Sequence, residues 1–171
     1  MHDLNRYEAE AGAPAEPTLR EAVRFLFDEI ARRAYQSTKG LTDEQIRHDP
    51  GGGSWSIGAI LGHQLRLVAF ITNFLRPGSV EPPPPGAICQ EGHLDFESFL
   101  RERERLNEKF REIWAAVDDA TLMGTRPEMP PAHWAEWPVL MRCLRPLTDL
   151  ATHVGQVNYL RRQLGNPVGK Y

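Results

Sequence analysis

The chain has 171 residues, 41% hydrophobic and 25% charged, which is the composition of one folded domain rather than of a disordered or collagen-like chain. Its formal net charge of -3 offers no cationic surface to nucleic acid or to an anionic membrane, so neither is expected as a partner. Two distant cysteines, Cys89 and Cys143, exclude a disulfide framework and a cysteine-based zinc site, and they fit a reducing cytoplasm.

The first residues contain no apolar core for a signal peptide. The most apolar stretch, residues 65–75, is interrupted by Arg66 and Asn73, so no membrane span is expected. Residues 1–16 lack periodicity and are predicted to form a mobile N-terminal arm. Residues 17–171 are predicted to form a single domain.

Helical periodicity begins after Pro17. Apolar side chains recur every three or four positions over residues 18–36, which predicts a first long helix with Glu21 in its first turn. A short turn of helix is expected to follow over residues 42–47.

Glycine and proline at residues 49–53 interrupt the helical pattern. Ser54 or Ser56 then caps a second long helix, which carries apolar residues as far as position 75 and ends at Pro77. Residues 78–94 include four consecutive prolines and are too many for a tight turn, so this segment is expected to cross one end of the molecule.

Asp95 is placed to cap a third long helix, whose apolar stripe extends to about Asp118. Between Arg101 and Glu108 the charges alternate in sign, so this run is expected to be a solvated face. Residues 121–137 contain several prolines and are expected to be a loop.

The fourth long helix is predicted to have Pro138 at its first position and to end before Gly165. Pro146 lies inside it and removes one backbone donor, so a kink is expected near Arg142 rather than a break. No strand pattern competes with the helices. Because none of the four amphipathic helices can bury its apolar stripe alone, the sequence predicts an all-α fold, a four-helix bundle.

Two polar positions border the apolar faces of the second and fourth helices. His63 lies at this border on the second helix, and Asp149, His153 and Gln156 form one row at the border on the fourth. If the two helices are neighbours, His63, Asp149 and His153 present two imidazoles and a carboxylate to one point. That ligand set holds zinc or ferrous iron with positions left open.

The same residues also have plain structural interpretations. A single inward-facing histidine is more often a hydrogen-bonded core residue than a metal ligand. Arg145 stands four residues before Asp149, so the two can form an ordinary salt bridge on the helix surface. Spacing alone leaves both interpretations open.

Two segments resemble a known family, the DinB/YfiT-like superfamily. Residues 55–63, Trp-Ser-Ile-Gly-Ala-Ile-Leu-Gly-His, are similar to its second-helix motif. Residues 152–157, Thr-His-Val-Gly-Gln-Val, followed by residues 160–165, Leu-Arg-Arg-Gln-Leu-Gly, are similar to its fourth-helix motif. The motifs occur in the family's order about ninety residues apart, and helix number and loop placement agree over about residues 18–166.

The resemblance implies a bundle of up-down-down-up topology, often a homodimer, that holds a divalent ion through one histidine on the second helix and two on the fourth. His63 and His153 match two of these positions, whereas Asp149 stands where the family has the third histidine. A carboxylate can replace an imidazole on zinc, nickel or iron. The exchange therefore either alters the metal preference or marks a site that has lost its metal.

Characterised members of the wider family include mycothiol-dependent isomerases and bacillithiol transferases, in which a metal activates a low-molecular-weight thiol. The resemblance therefore implies a small-molecule substrate, with bacillithiol or mycothiol as co-substrate. Arg142 and Arg145, on the row that leads to Asp149, are the best-placed cations for carboxylates of such a thiol. Gln156 and Tyr159 are candidates for hydrogen bonds around the site.

Other features are weaker candidates. The glycine-rich residues 51–54 lack the lysine of a phosphate-binding loop and are interpreted as a flexible entry to the second helix. Cys89 and His93 are interpreted as surface residues of a proline-rich loop. Three tryptophans are candidates for the mouth of a pocket above the metal: Trp55, Trp134 and Trp137.

Two hypotheses of different classes follow. The first is a metal-dependent enzyme, in which His63, Asp149 and His153 hold the ion and a thiol or water takes an open position. The second is a non-catalytic bundle, a binding or dimerisation module with a degenerate metal site, which the pairing of Asp149 with Arg145 would favour. The metal content of protein purified without a His tag distinguishes them.

Overall fold

The computed structural model describes Gly12 and residues 17–76, 95–128 and 132–168, and these residues form a helical bundle. Apart from Gly12, the predicted N-terminal arm lies outside the described residues, as does the segment 78–94 with Cys89 and His93. Within the described ranges the backbone has no strand, and its one isolated bridge joins Thr125 and Pro138. The helices are α1 (Leu19–Thr38), α2 (Asp43–Arg47), α3 (Ile57–Leu75), α4 (Phe96–Trp114), α5 (Asp119–Met123) and α6 (Val139–Gln163), with a 3-10 turn at Ala132–Trp134.

Side chains cap the N-termini of the first three long helices. The Thr18 hydroxyl accepts a hydrogen bond from the backbone N–H of Glu21, whose carboxylate accepts one from the Thr18 N–H in return. Ser56, rather than Ser54, caps α3. Asp95 caps α4 as expected.

Hydrogen bonds between helix ends fix the directions of the long helices. Arg20, at the start of α1, donates to the carbonyl of Trp114 at the end of α4 (3.1 Å), so α1 and α4 are antiparallel. Arg161, near the end of α6, donates to the carbonyl of Ser37 near the end of α1 (2.9 Å), so α1 and α6 are parallel.

The remaining pair is joined through Arg126. Its guanidinium donates to the carbonyl of Phe74 at the end of α3 (2.9 Å), and its own carbonyl accepts from Arg142 near the start of α6 (2.7 Å). Helices α3 and α6 are therefore antiparallel neighbours, while α3 also packs along α4. The predicted all-α four-helix bundle with up-down-down-up topology is confirmed.

The core lies between the four long helices and includes stacked aromatic rings. The rings of Phe27 on α1 and Phe110 on α4 stack with centroids 3.6 Å apart, and Trp114 extends the stack. Helix α3 packs against both α4 and α6. Among the helices of the described ranges, α3 alone is long and apolar enough to cross a membrane, and the core helix of a bundle has the same character.

Two predictions, for the end of the third helix and for the segment after it, are wrong in detail. Helix α4 ends at Trp114 instead of extending to Asp118, because the Asp118 carboxylate accepts from the Thr121 N–H (2.7 Å) and begins the short helix α5. The segment predicted as a loop over residues 121–137 accordingly contains the end of α5 and the 3-10 turn.

The charged run between Arg101 and Glu108 is only partly a solvated face. Arg103 and Glu104 within it are buried, with 5% and 4% of their surfaces exposed, and Arg103 donates to the Gln64 side chain on α3 (2.9 Å). The expectation fails at these two residues because eight consecutive helical residues, at 100° each, point to every side of the helix.

The last helix has one proline at its start, Pro138, and one inside it, Pro146. Pro138 occupies the cap position, one residue earlier than expected, and α6 runs through Pro146 without a break. Gly165 follows the helix with a φ of 69°, the left-handed conformation that glycine adopts at helix ends.

Candidate functional site

His63 and His153 face each other across the antiparallel pair α3 and α6. Their ring centroids are 4.9 Å apart and the rings are nearly perpendicular, at 87°. Both side chains are partly buried. The structure thus brings together the two imidazoles that the sequence places at the borders of separate apolar faces.

Trp55 covers this histidine pair from the segment that leads into α3. Its ring lies edge-on to His63, with centroids 5.3 Å apart, and is stacked on His153 at 5.9 Å. Trp134 and Trp137, which were also expected at the pocket mouth, instead stack on each other, and Trp134 contacts Phe70.

The environment of His63 favours the neutral imidazole. Partial burial lowers the pKa of His63 below its usual value, because removing water disfavours the charged form. The nearby His153 and Arg66 lower the pKa further, whereas the Asp149 carboxylate opposes them. His63 is therefore unprotonated at neutral pH, the form that binds a metal ion.

Gln156 orients the second imidazole. Nδ1 of His153 donates to Oε1 of Gln156, one turn along α6, at 2.7 Å. Because Nδ1 carries the proton in this arrangement, a neutral His153 has its lone pair on Nε2. Histidines that ligate metals commonly have their other ring nitrogen fixed by such a bond.

Asp149 is held by its neighbour on the same helix. Its carboxylate forms an ion pair with Arg145, the competing interaction that the spacing had left open. Asp149 still lies close enough to His63 for its charge to act on the His63 pKa. In the described ranges no three histidine, cysteine, aspartate or glutamate side chains are already arranged as a metal-ligand group.

Arg142, expected to pair with a carboxylate of a thiol co-substrate, is not a surface cation. Arg142 is fully buried, its guanidinium lies 4.1 Å from the centre of the Phe74 ring, and it donates to the Arg126 carbonyl. Helical spacing of three and four residues puts Arg142 on one row with Asp149. The same spacing puts Arg142 on the face of Pro146, which lies four residues later and is buried. Arg145 is at the surface but is engaged by Asp149.

A cavity of about 690 Å³ opens beside Trp55 and His153. Its described lining comes from the segment before α3, from α3 and from the last turns of α6. The lining residues are Gly53, Ser54, Trp55, Ile60, Thr152, His153, Gly155, Gln156, Tyr159 and Leu160. Of the residues singled out by sequence, Trp55, His153, Gln156 and Tyr159 line the cavity. Four others do not: His63, Arg142, Arg145 and Asp149.

The glycine-rich entry to α3 is a tight turn. Gly51, Gly52 and Gly53 all have positive φ, between 63° and 76°, which explains why three glycines are needed here. The Gly51 N–H donates to the Asp49 carboxylate at 2.8 Å. This turn carries Gly53 and Ser54 to the edge of the cavity and places Trp55 above the histidines.

The sequence analysis did not single out one residue of the cavity, Gly155, although its position in a helix is unusual. Gly155 lies inside α6, where glycine is unfavourable. An unexplained glycine in a helix interior points to close packing or to open space that must be kept.

Comparison with known families agrees with the helical-bundle fold. The sequence model described as the DinB superfamily matches residues 26–157, which is most of the chain. No curated protein and no solved structure matches significantly. The chain belongs to the DinB superfamily.

Proposed function

We propose that this DinB superfamily member binds one divalent metal ion, zinc, nickel or iron, through His63, His153 and Asp149, and that it acts as a metal-dependent enzyme on a small molecule. The observation that carries the proposal is the meeting of His63 and His153, from two antiparallel helices, with 4.9 Å between their ring centroids.

The chemistry of the donor set fits such an ion. His63 is neutral at physiological pH because burial lowers its pKa, and Nδ1 of His153 is committed to Gln156. Two nitrogen lone pairs are therefore available near one point. Two imidazoles and one carboxylate form an established ligand set for zinc and ferrous iron that leaves coordination positions open.

The third ligand requires Asp149 to leave Arg145. The side chains of this ion pair are 36% and 52% exposed, and exposed pairs contribute only about 0.2–1 kcal/mol. In zinc-finger peptides, structural zinc binds through four ligands with an apparent free energy of about 10–16 kcal/mol, so even a fraction of that value for one ligand exceeds the free energy of the ion pair. The metal therefore competes easily with Arg145 for the carboxylate.

A bound divalent ion would supply Lewis acidity, which stabilises the anionic form of a thiol or water near neutral pH. In the proposed reaction a low-molecular-weight thiol, bacillithiol or mycothiol, is transferred to an electrophile or supports its isomerisation. Once Asp149 turns to the ion, Arg145 is free to pair with a carboxylate of the co-substrate. Gln156 holds the His153 ring in place, and Trp55 limits the access of water to the pair.

Metal titration of the tag-free protein tests the site. Calorimetry and elemental analysis should find one zinc or nickel ion per chain for the wild type. His63→Ala and His153→Ala should each weaken binding at least 100-fold, and Asp149→Ala by about 10- to 100-fold, while His48→Ala, at an exposed position outside the site, leaves it unchanged. Full metal occupancy in either histidine variant would refute the site.

The enzymatic proposal has a separate test. With 1-chloro-2,4-dinitrobenzene as electrophile, thiol transfer forms a sulfur–carbon bond and breaks the carbon–chlorine bond, while chloride leaves with the electron pair and the thiol proton passes to solvent. Zinc-loaded wild-type protein should consume bacillithiol or mycothiol faster than His153→Ala does. Equal rates for the two proteins would contradict this activity.

The ion pair of Asp149 with Arg145 favours a second candidate, a non-catalytic bundle that serves as a binding or dimerisation module. This candidate predicts protein purified without metal, with a melting temperature that responds neither to chelator nor to added zinc or nickel. The enzyme proposal predicts the opposite: a melting temperature that rises with added metal in the wild type but not in His63→Ala.

A further inference from the structure

The cavity beside Trp55 has a chemical character that the metal ligands do not explain. Its volume of about 690 Å³ lies within the range of roughly 300–1,000 Å³ that is typical of small-molecule sites. None of the described lining residues is Lys, Arg, Asp or Glu. Among these described residues, a ligand with a net charge would therefore lose water without gaining a carboxylate, ammonium or guanidinium as its partner.

Flat aromatic surfaces flank the cavity. Trp55 and Tyr159, which both line it, are 48% and 62% exposed, although both have large apolar rings. Ile60 and Leu160 add aliphatic surface. Such walls bind planar or apolar groups through stacking and through removal of apolar surface from water.

Two uncharged side chains of the cavity, Gln156 and Thr152, offer hydrogen bonds. The amide oxygen of Gln156 accepts from His153, which directs the NH2 group of Gln156 away as a donor. Thr152 also lines the cavity; its hydroxyl donates to the Thr148 carbonyl (3.0 Å) and retains acceptor capacity. The Gln156 donor and the Thr152 acceptor therefore suit a neutral ligand that carries one acceptor and one donor.

Gly155 provides open space in the wall. A Cβ atom built at this position meets no heavy atom within 4 Å, so close packing does not account for the glycine. Glycine in a helix interior is less stable than alanine, yet it stands in the middle of α6 and on the cavity surface. The missing side chain leaves room for a ligand beside Trp55.

We propose that this cavity binds an uncharged, planar, largely apolar organic group, which stacks on Trp55 and occupies the space above Gly155, with the Gln156 amide as its hydrogen-bond donor. If the proposed metal function holds, this group belongs to the substrate, and the electrophile that is attacked near the histidines is a neutral aromatic or conjugated molecule. In this respect the inference rests on the proposed function. As a binding site, the cavity does not depend on metal.

The test uses two probes of equal size on tag-free protein treated with chelator. Benzamide is neutral, and benzoate is the anionic counterpart with the same ring. Ligand-observed NMR titration should show that benzamide binds at least 10-fold more tightly than benzoate. Gly155→Leu and Trp55→Ala should each weaken benzamide binding at least 10-fold.

Ala151→Leu is the matched control, because residue 151 is exposed on α6 one turn earlier and does not line the cavity. This variant should bind benzamide as the wild type does. Helix content and melting temperature verify that Gly155→Leu is folded, and the open space around the glycine makes this the expected result.

Three results would overturn the inference: no benzamide binding, equal binding of benzoate, or benzamide binding that survives both Gly155→Leu and Trp55→Ala. Failure of the metal proposal would give different results from these three. In that case His63→Ala changes neither metal content nor metal-induced stability, while the benzamide results remain as described.

Discussion

His153 illustrates how one hydrogen bond at the residue scale determines what a side chain can do. Its Nδ1–H is fixed by Gln156 at 2.7 Å, so Nε2 is the nitrogen left for an ion. Without this bond the ring could adopt the other tautomer or turn toward solvent.

Gln156→Leu should therefore lower zinc affinity by about 10- to 100-fold, the usual cost of removing a group that orients a metal ligand. Calorimetric titration measures the effect. Gln163→Leu, at an exposed position near the end of α6, is the control and should bind zinc as the wild type does. An unchanged affinity in Gln156→Leu would mean that this hydrogen bond has no role in orienting a ligand.

Gly155 allows a stability prediction at the same scale. Gly155→Ala should raise the free energy of unfolding by about 0.5–1 kcal/mol, because alanine loses less backbone entropy in a helix and its Cβ meets no neighbour. Urea unfolding provides the measurement, with Ala151→Gly expected to lower stability by a similar amount. A loss of stability in Gly155→Ala would show that the space beside this glycine is smaller than described.

At the scale of elements, arginines join the ends of helices. Arg142 stacks on Phe74 and donates to the Arg126 carbonyl, and Arg126 in turn donates to carbonyls at the end of α3. The Arg142 side chain therefore connects α6, the segment after α5 and α3.

Arg142→Ala should lower the free energy of unfolding by about 2–4 kcal/mol, because it leaves a cavity beside Phe74 and removes a buried partner of the Arg126 carbonyl. The exposed Arg145→Ala should cost less than about 1 kcal/mol. Chemical denaturation compares the two. Similar, small effects for both would contradict a structural role for Arg142.

Helix α1 carries an acid-sensitive pair of salt bridges. Glu29 accepts from Arg32 and Arg33 (both 2.7 Å), and with these partners its pKa falls from 4.5 to about 2. Since the pKa is lower in the folded state, the ionised carboxylate favours folding. Its contribution is complete above pH 4.5 and is lost as the pH falls toward 2.

Glu29→Gln should accordingly be less stable than the wild type by about 1–2 kcal/mol at pH 7. The difference between the two proteins should shrink between pH 4.5 and pH 2. Thermal unfolding at several pH values measures it. A difference that stays constant over this interval would show that the Glu29 carboxylate does not titrate in this way.

Local signals in the sequence account for much of the whole molecule. The caps at Thr18, Ser56 and Asp95 use hydrogen bonds within four residues, so short segments suffice to predict where these helices begin. His63 and His153 could be paired because each borders an apolar face that must be buried against another helix.

The errors arise where tertiary neighbours decide. Helical spacing is compatible with Arg142 on the row of Asp149 and with Arg142 on the buried face of Pro146. Packing against Phe74 puts it on the buried face. Arg103 is buried because Gln64 on α3 offers it a partner. Trp55 was expected at the mouth of a pocket, but the rest of the cavity could not be predicted, since its walls come from α3, from α6 and from residues 53–55.

Anomalous diffraction from crystals of the full chain soaked with zinc tests the central claim most directly. The account predicts one strong peak between α3 and α6, about 2.0–2.1 Å from Nε2 of His153 and from a ring nitrogen of His63, with the Asp149 carboxylate turned from Arg145 toward the ion. An anomalous map without a peak between these rings, with Asp149 still paired to Arg145, would contradict it.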